Sequence, residues 1–271
     1  MNYQSFIHSV LEEASKIAIE KFGHVSGTIK GEDSNQVLTQ ADLAIGSFII
    51  EKIKKEFPSH NIIDEEAGTI DNRSEFTWVI DPIDGTSNFA VGVPHFGIMI
   101  GLLKNFTPLV GGVSFPFFKE ICYAEKGMGA FCNREKLIVS TEKKLINTLV
   151  AFGMDAYQSD PTITRNETKF LGELLLHIRN YRTSNSVFDV LMLVKGSYGG
   201  VLNRTSRIWD NVAPHILIEE AGGVYTDFLG KPMDYTDPLR NVEQNYTFCA
   251  ASPILHKQLQ KIIHDSGFPP Q

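Results

Sequence analysis

The segment around Asp81 constrains the fold of this chain more than any other. Residues 76–80 form a short apolar run that predicts a buried β-strand, and Asp81 and Asp84 follow it directly in the sequence D-P-I-D-G-T. Two carboxylates at the end of a buried strand repel each other and lose hydration, and both effects raise their pKa values. A divalent cation would remove both costs. The alternative is an ordinary turn, because Asp-Pro and Asp-Gly are common turn dipeptides.

Two further acidic positions strengthen the cation hypothesis. Glu65 and Glu66 follow a second short apolar run at residues 61–63, and Asp210 lies at the start of a predicted helix that ends at Gly222-Gly223. A solvated acidic loop would also explain the first position, and a helix N-cap would explain the second. The three positions together predict carboxylates that converge on metal ions.

Composition excludes several classes of protein. With 271 residues, 42% hydrophobic and 21% charged, the chain is long enough for one large domain or two modest ones. A net charge of −7 opposes non-specific binding to nucleic acid, so no nucleic-acid partner is expected. No apolar run approaches the roughly 20 residues that span a bilayer, and the N-terminus has no secretory pattern. The three cysteines lack metal-ligand spacing and are expected to be reduced thiols in a cytoplasmic protein.

The pattern of apolar residues divides the chain near residue 143. We expect an N-terminal α+β domain at 1–143 and a C-terminal α/β domain at 144–271. Predicted helices cover 3–22, 42–57, 166–178, 186–195 and 210–221, and predicted strands cover 61–63, 76–80, 97–103, 109–115, 121–124 and 145–152. Residues 196–200 are predicted to form a Gly-rich turn, and Pro214 is expected near the first turn of the last helix.

In their order and spacing these motifs resemble the inositol monophosphatase family of metal-dependent phosphatases. The resemblance rests on D-P-I-D-G-T after a strand, the upstream E-E, W-D followed by A-G-G, T-Q-A-D ending at Asp42, and G-G-V-Y-T-D ending at Asp227. It implies an α/β (α+β) fold, a layered αβαβα sandwich. It also implies Mg²⁺-dependent hydrolysis of a small phosphorylated metabolite by a lithium-sensitive, homodimeric enzyme.

The resemblance implies a specific set of metal ligands. One Mg²⁺ would be held by Glu65, Asp81 and the backbone carbonyl of Ile83. A second would be held by Asp81, Asp84 and Asp210, with Asp81 bridging the two ions. A third, weaker ion is implied near Glu65, and Mn²⁺ is expected to substitute for Mg²⁺.

Other residues would bind phosphate or orient the attacking water. Gly85 and Thr86 offer backbone N–H groups to phosphate oxygens, and Thr86 would orient the water with Asp42 as the acceptor of its hydroxyl proton. Asp42 is alternatively an N-cap of the second helix. Glu66 would orient a metal-bound water, or it is a solvated surface residue. Lys30 is a weaker candidate for the site.

The residues that select the substrate depart from the family pattern. Asn203 stands where inositol-selective members carry a Glu, and Asn185, Ser186 and Val187 stand in a stretch that normally reads G-[ST]-A. Arg204 and Arg207 are either surface residues or contacts for a second anionic group. These changes make inositol monophosphate doubtful as the main substrate. Fructose 1,6-bisphosphate, histidinol phosphate, 3′-phosphoadenosine 5′-phosphate and NADP remain open, as does a role in binding the transcription or ribosome machinery.

Overall fold

The helices and strands are described for residues 3–23, 28–29 and 37–267 of a computed structural model. The helices are α1 (Tyr3–Lys21), α2 (Gln40–Glu56), α3 (Thr86–Ala90), α4 (Pro161–Leu175), α5 (Phe188–Val194), α6 (Ile208–Glu220) and α7 (Pro253–Asp265). The strands are β1 (Thr28–Ile29), β2 (Val37–Leu38), β3 (Asn61–Asp64), β4 (Gly68–Ile70), β5 (Phe76–Asp84), β6 (Gly97–Lys104), β7 (Thr107–Phe115), β8 (Glu120–Glu125), β9 (Gly129–Cys132), β10 (Glu135–Lys136), β11 (Leu149–Gly153), β12 (Asn180–Arg182), β13 (Tyr198–Ser206), β14 (Val224–Thr226) and β15 (Tyr246–Ala251). Every helix within these ranges is too short or too polar to traverse a lipid bilayer.

Most of the strands belong to two sheets. The first has the order β10-β9-β8-β7-β6-β5-β3-β4 and is antiparallel except where β3 pairs with β5. The second has the order β12-β11-β13-β15-β14, with β11 parallel to both of its neighbours. The predicted division near residue 143 falls between the two sheets and stays a prediction.

Helices and sheets alternate in five layers, so the expected αβαβα sandwich is confirmed. Helices α1 and α2 bury Leu11 and Ile49 against the outer face of the first sheet. Helices α5 and α6 bury Leu191 and Ile216 between the two sheets. Helices α4 and α7 cover the far face of the second sheet. Each sheet is therefore apolar on both faces, which explains the long apolar runs in its strands.

Helix α6 lies unusually close to the first sheet because glycines line the contact. A Cβ atom at Gly111 would lie 2.9 Å from Ala213 Cα and 3.0 Å from Ala213 O, which are backbone atoms and cannot rotate away. Gly101 faces the same helix, with the backbone nitrogen of Ala213 at 3.0 Å from its would-be Cβ. Glycine at these positions lets α6 approach the sheet. The close approach sets the distance between Asp210 and strand β5.

We expect Gly111→Ala to lower the free energy of unfolding by about 2 kcal/mol, because the added methyl group overpacks a contact with backbone. Urea denaturation measures the change. The matched control is Gly172→Ala in α4, where nothing lies within 4 Å of the added Cβ and the backbone is helical. The control should be neutral or stabilising by up to about 1 kcal/mol. Equal stability of the two variants would show that the contact with α6 is not tight.

The structure corrects three expectations about the C-terminal half. Strand β13 was missed, because residues 196–200 were predicted to be a turn. Gly199 and Gly200 are in fact strand residues that give space to neighbours: a Cβ atom at Gly199 would overlap the Thr148 side chain, and one at Gly200 would lie 2.6 Å from Leu259 Cδ1. Helix α4 begins at Pro161, five residues earlier than predicted, because Asp160 caps it by accepting a hydrogen bond from the Thr162 N–H.

Helix α6 is the third correction. It begins at Ile208, two residues before the predicted start, and Pro214 lies in its middle rather than in its first turn. Pro214 has no N–H, so it cannot donate the helical hydrogen bond that would reach the carbonyl of Asp210. The irregular turn of this helix therefore lies beside the predicted metal ligand.

Candidate active site

The carboxylates of Asp81 and Asp84 lie on the same face of the sheet because β5 contains a bulge. Asp81 pairs with Met99 and Asp84 pairs with Gly97, so three steps along β5 match two steps along β6. In a regular strand residues three apart point to opposite faces. The extra residue of the bulge brings Asp84 back to the face of Asp81.

Asp210 approaches the same place from the first turn of α6. Its Oδ2 accepts a hydrogen bond from the Arg207 N–H at 2.5 Å, so it helps to cap the helix as the third helical residue. The N-cap alternative for Asp210 is wrong in position, because Arg207 is the cap residue. Carboxylate oxygens of Asp81, Asp84 and Asp210 lie within 4.8 Å of one another.

Glu65 and Glu66 follow the end of β3, which is parallel to β5. The Glu65 N–H donates to the Ile80 carbonyl at 3.3 Å, so the chain after β3 stays beside the end of β5. Asp64 Oδ1 accepts hydrogen bonds from the Glu66 and Ala67 N–H groups at 3.0 and 2.7 Å and folds this segment into a turn. Parallel pairing thus brings Glu65 and Glu66 to the cavity that Asp81 lines.

The carboxylates strongly perturb one another. Burial raises the pKa of Asp81 well above its ordinary value, and the charges of Glu65, Asp84 and Asp210 raise it further. Burial and the charge of Asp210 likewise raise the pKa of Asp84. Burial raises the pKa of Asp210 to about 6, although its hydrogen bond from Arg207 opposes this shift. Such a cluster is costly to ionise unless cations share it.

The donor set fits a hard divalent cation. Asp81 Oδ1 is fully buried and accepts no hydrogen bond from the described residues. Carboxylate oxygens are the ligands that Mg²⁺, Mn²⁺ and Ca²⁺ prefer in proteins. Asp81, Asp84 and Asp210 therefore have the chemistry and the spacing of a metal centre.

Thr86 and Asp42 lie next to this cluster, in contact with each other. The Thr86 hydroxyl donates to the Ile83 carbonyl at 2.8 Å and lies 3.3 Å from Asp42 Oδ1. Asp42 Oδ2 accepts from the Thr39 N–H and hydroxyl at 2.8 and 2.6 Å, which completes a capping box at the start of α2. The N-cap alternative for Asp42 is wrong in position, because Thr39 is the cap residue; Asp42 is the third helical residue, completes the cap and is a neighbour of Thr86. The helix begins at Gln40, two residues before the prediction.

Gly85 joins β5 to α3 in a conformation that other residues rarely adopt. Its φ is +83°, and an added Cβ would lie 2.9 Å from Ser186 Cβ and 3.0 Å from His95 O. Next to it, Asp84 accepts a hydrogen bond from the Val187 N–H. This bond ties the end of the first sheet to the segment that precedes α5.

The residues that were predicted to bind metal or phosphate line one cavity of about 830 Å³, whereas Asp42 does not: they are Glu65, Glu66, Asp81, Ile83, Asp84, Gly85, Thr86 and Asp210. Among the described residues, its walls carry one basic side chain, Arg207, and eight carboxylates: Glu65, Glu66, Asp81, Asp84, Asp155, Asp189, Asp210 and Glu243. A phosphate dianion would be repelled from such a cavity. Cations at the carboxylate cluster would reverse the sign of the local field.

Comparison with known proteins identifies the family. A model described as the inositol monophosphatase family matches residues 3–267. The chain belongs to the inositol monophosphatase family. Its members are generally phosphatases, and the family is metal-dependent.

Individual relatives support the assignment. The chain is 32% identical over 220 residues to the fructose-1,6-bisphosphatase/inositol-1-monophosphatase of Aquifex aeolicus, covering 80% of this chain and 82% of that protein. It is 33% identical over 199 residues to Nus factor SuhB of Escherichia coli K12, covering 73% and 74%. The solved structure of an inositol monophosphatase from Thermotoga maritima is similar with a TM-score of 0.86 and 27% identity, covering 98% of both chains.

The four residues that were predicted to contact substrate line the same cavity as the acidic cluster of this inositol monophosphatase family member. Asn185, Ser186, Val187 and Asn203 all line the cavity. Asn203 Oδ1 accepts a hydrogen bond from the Thr205 N–H at 2.7 Å, which leaves its Nδ2 group close to Gly153. Asn185 has a positive φ of 51°, and its Nδ2 donates to Asp155 Oδ1 at 2.8 Å.

The two arginines ahead of Asp210 have different locations. Arg207 lines the cavity and donates to the Glu243 carbonyl. Arg204 is buried on the other side of β13, with its guanidinium 5.4 Å from the ring centre of Phe228. Arg204 therefore fits neither alternative: it is not a surface residue, and it does not line the cavity, because neighbouring strand residues point to opposite faces. Lys30 lies outside the described residues.

Several cavity residues were not found from the sequence, among them Asp155 and Tyr157. Asp155 and Tyr157 follow the end of β11, and the Tyr157 hydroxyl is hydrogen-bonded to Thr205 Oγ1. Asp155 shows the same pattern as Glu65 and Asp81, an acid just after a buried strand, so this signal was present. Tyr157 had no comparable signal, because its role depends on the position of β13.

Proposed function

We propose that this protein is a Mg²⁺-dependent phosphate monoester hydrolase that acts on a small sugar, polyol or related phosphate. The observation that carries the proposal is the convergence of Asp81, Asp84 and Asp210 in an acidic cavity, in a chain of the inositol monophosphatase family. A cavity that repels phosphate until cations enter it is suited to a reaction on a phosphate ester.

We assign the metal ligands as follows. Glu65, Asp81 and the carbonyl of Ile83 would hold one Mg²⁺, while Asp81, Asp84 and Asp210 would hold a second. Bound ions of this kind neutralise phosphate oxygens, act as Lewis acids and lower the pKa of water. A third ion near Glu65 is part of the same proposal, and Mn²⁺ would substitute because it accepts the same oxygen donors.

The chain's own residues orient the reactants. Asp42 lies 3.3 Å from the Thr86 hydroxyl and would accept its proton, so that the Thr86 oxygen can in turn accept a hydrogen bond from water. This requires the hydroxyl to turn away from the Ile83 carbonyl, its nearer acceptor at 2.8 Å. Glu66 would orient a second water through the outer shell. Gly85, which has no side chain, would let a phosphate oxygen approach the backbone N–H of Thr86.

The leaving group would contact Asn203, Asn185, Ser186 and Val187. Asn203 presents an amide where inositol-selective members carry a carboxylate, so it offers a neutral donor instead of a charged acceptor for a sugar hydroxyl. Val187 adds bulk to the same wall. We therefore expect another ester to be preferred over inositol 1-phosphate.

A phosphate-release assay across sugar, polyol, nucleotide and amino-alcohol phosphates, with and without Mg²⁺, tests the proposal. We expect turnover of at least one ester to require the ion, and inositol 1-phosphate to be no better a substrate than the best alternative. A clear kinetic preference for inositol 1-phosphate would contradict the role of Asn203. Absence of Mg²⁺-dependent release from every ester would contradict the proposed function itself.

A second candidate function is binding to a macromolecular partner. Several relatives at 32–33% identity are named Nus factor SuhB, which motivates this alternative. In the native host, a pull-down of the tagged chain would recover a stable partner, and cells carrying Asp84→Asn would grow normally. Loss of growth in that variant, or no recovered partner, would favour the enzyme.

A further inference from the structure

Two of the three cysteines face each other in the first sheet, away from the residues assigned to the phosphatase site. Strands β8 and β9 pair antiparallel, and Cys122 is directly opposite Cys132 in their register. Both thiols are free and both side chains are buried. Cys249 lies in the second sheet, in a separate apolar cluster.

The backbone pairing of Cys122 with Cys132 suits a disulfide between the two strands. The Asn133 N–H donates to the Ile121 carbonyl at 3.0 Å, so these two residues form a hydrogen-bonded pair. Pairs alternate along an antiparallel ladder, and Cys122 with Cys132 is therefore a non-hydrogen-bonded pair, whose Cα atoms lie about 4.5 Å apart. Disulfides span Cα separations of about 4.4–6.8 Å. The two sulfur atoms are in direct contact at 2.6 Å.

The surroundings make the two thiols unequal. Burial raises the pKa of Cys122 well above its ordinary value, and the side chain is 1% exposed. Cys132 is 5% exposed and lies 3.9 Å from Glu120 Oε2, which forms an ion pair with Lys195 Nζ. It also lies nearer to the edge of the sheet, since only the two-residue strand β10 is beyond β9. Cys132 is therefore the more accessible of the two thiols and the one that an oxidant would meet first.

We propose that Cys122 and Cys132 form a reversible dithiol–disulfide pair that responds to peroxide. In the first step the sulfur of Cys132 attacks one oxygen of hydrogen peroxide, the O–O bond breaks, and a sulfenic acid and one water are formed. In the second step the sulfur of Cys122 attacks the sulfenic sulfur, the S–O bond breaks, and a disulfide and a second water are formed. Each thiol loses its hydrogen to water, the two sulfurs are oxidised, and the peroxide is reduced. A dithiol reverses the reaction.

The link would join two strands that are already paired, so it demands little movement of the native backbone. It closes a short loop around the turn between β8 and β9 and restricts the unfolded chain. Oxidation should raise the melting temperature by roughly 5 °C. It also removes the S–H group that faces Glu120, and the Glu120–Lys195 ion pair remains.

The test treats the full-length metal-free protein with hydrogen peroxide and counts thiols after denaturation. We expect the count to fall from three per chain to one and to return to three with dithiothreitol. Tryptic digestion without reductant should yield residues 120–126 joined to residues 127–134, because cleavage at Lys126 separates the two cysteines. This mapping uses the unmodified chain and does not depend on a variant that folds.

Two variants complete the design. Cys249→Ser should still form the joined peptides, because Cys249 is not part of the pair. Cys132→Ser should form none and should show no oxidative rise in melting temperature. A thiol count that stays at three, a sulfinic acid at Cys132 in place of the joined peptides, or a link that includes Cys249 would each overturn the proposal.

Discussion

Asp84→Asn and Asp210→Asn should each lower turnover of the best phosphate ester roughly 10²- to 10⁴-fold, since a catalytic metal contributes several kcal/mol and about 1.4 kcal/mol is tenfold in rate. Each change replaces one charged oxygen of the cluster by an amide nitrogen, which cannot ligate a cation. The fold should persist, because the amide oxygen that remains at either position can still accept the backbone hydrogen bond from Val187 or Arg207.

Steady-state kinetics at saturating Mg²⁺ measure the loss, and circular dichroism checks the fold. The matched control is Asp234→Asn, which makes the same chemical change at an exposed residue outside the acidic cavity. The control should retain the full rate. Wild-type turnover in either cluster variant would contradict the assignment of that ligand. A loss of turnover in all three variants would indicate that removing one negative charge lowers the rate wherever the charge lies.

Mg²⁺ should stabilise the metal-free protein much more at pH 8 than at pH 5. Burial and mutual repulsion raise the pKa of Asp81 and Asp84, and that of Asp210 to about 6. Since these folded-state pKa values exceed the unfolded values, the carboxyls stabilise the metal-free fold when protonated at low pH. That contribution is lost as the pH rises through about 6 for Asp210 and further for the other two.

At pH 8 the metal-free fold therefore holds several repelling charges that a cation can relieve, whereas at pH 5 a proton must leave before the ion binds. An ion present at about 100 times its Kd contributes about 2.7 kcal/mol, or a rise in melting temperature of roughly 5 °C or more. Thermal unfolding with and without Mg²⁺ at both pH values measures this difference.

The same thermal unfolding experiment is then repeated with the variant Asp84→Asn. Asp84→Asn should raise the melting temperature of the metal-free protein at pH 8, because it removes one repelling charge, and it should shrink the response to Mg²⁺. An equal response to Mg²⁺ at pH 5 and pH 8 would contradict protonation of the cluster. A variant that responds as the wild type does would show that the ion binds elsewhere.

Local patterns in the sequence predicted the helices and strands that have a strong period. Helices α1 and α2 were identified because each buries one repeating stripe of apolar residues, and strands β5 to β8 were identified because each is a short apolar run. Strand β13 was missed because Gly199 and Gly200 normally indicate a turn, and only contacts with Thr148 and Leu259 explain them. The start of α6 was placed too late because Pro214 was assumed to need the first turn.

The residues of the candidate site likewise divide into those that the sequence predicted and those that it did not. The chemistry of the site could be predicted from the sequence. Glu65, Asp81 and Asp84 follow apolar runs, and carboxylates in such positions are costly to ionise unless a cation is present. Neither alternative for Arg204 was right, because the face of β13 on which it lies depends on a strand that the sequence did not reveal. Asp155 was overlooked although it follows a buried strand as the other acids do, and Tyr157 was missed because its position depends on β11 and β13 lying side by side.

The order of residues alone determined which groups are acidic and that they follow apolar runs, and from these two facts it predicted cations at the site. Three-dimensional packing decided that those groups meet: a bulge in β5 turns Asp84 toward Asp81, and glycines in β6 and β7 let α6 bring Asp210 within reach. The physical reason is the distance along the chain over which each effect acts. Periodicity and charge act between near neighbours along the chain, whereas convergence of residues 81, 84 and 210 depends on strand register and on how closely a helix can approach a sheet.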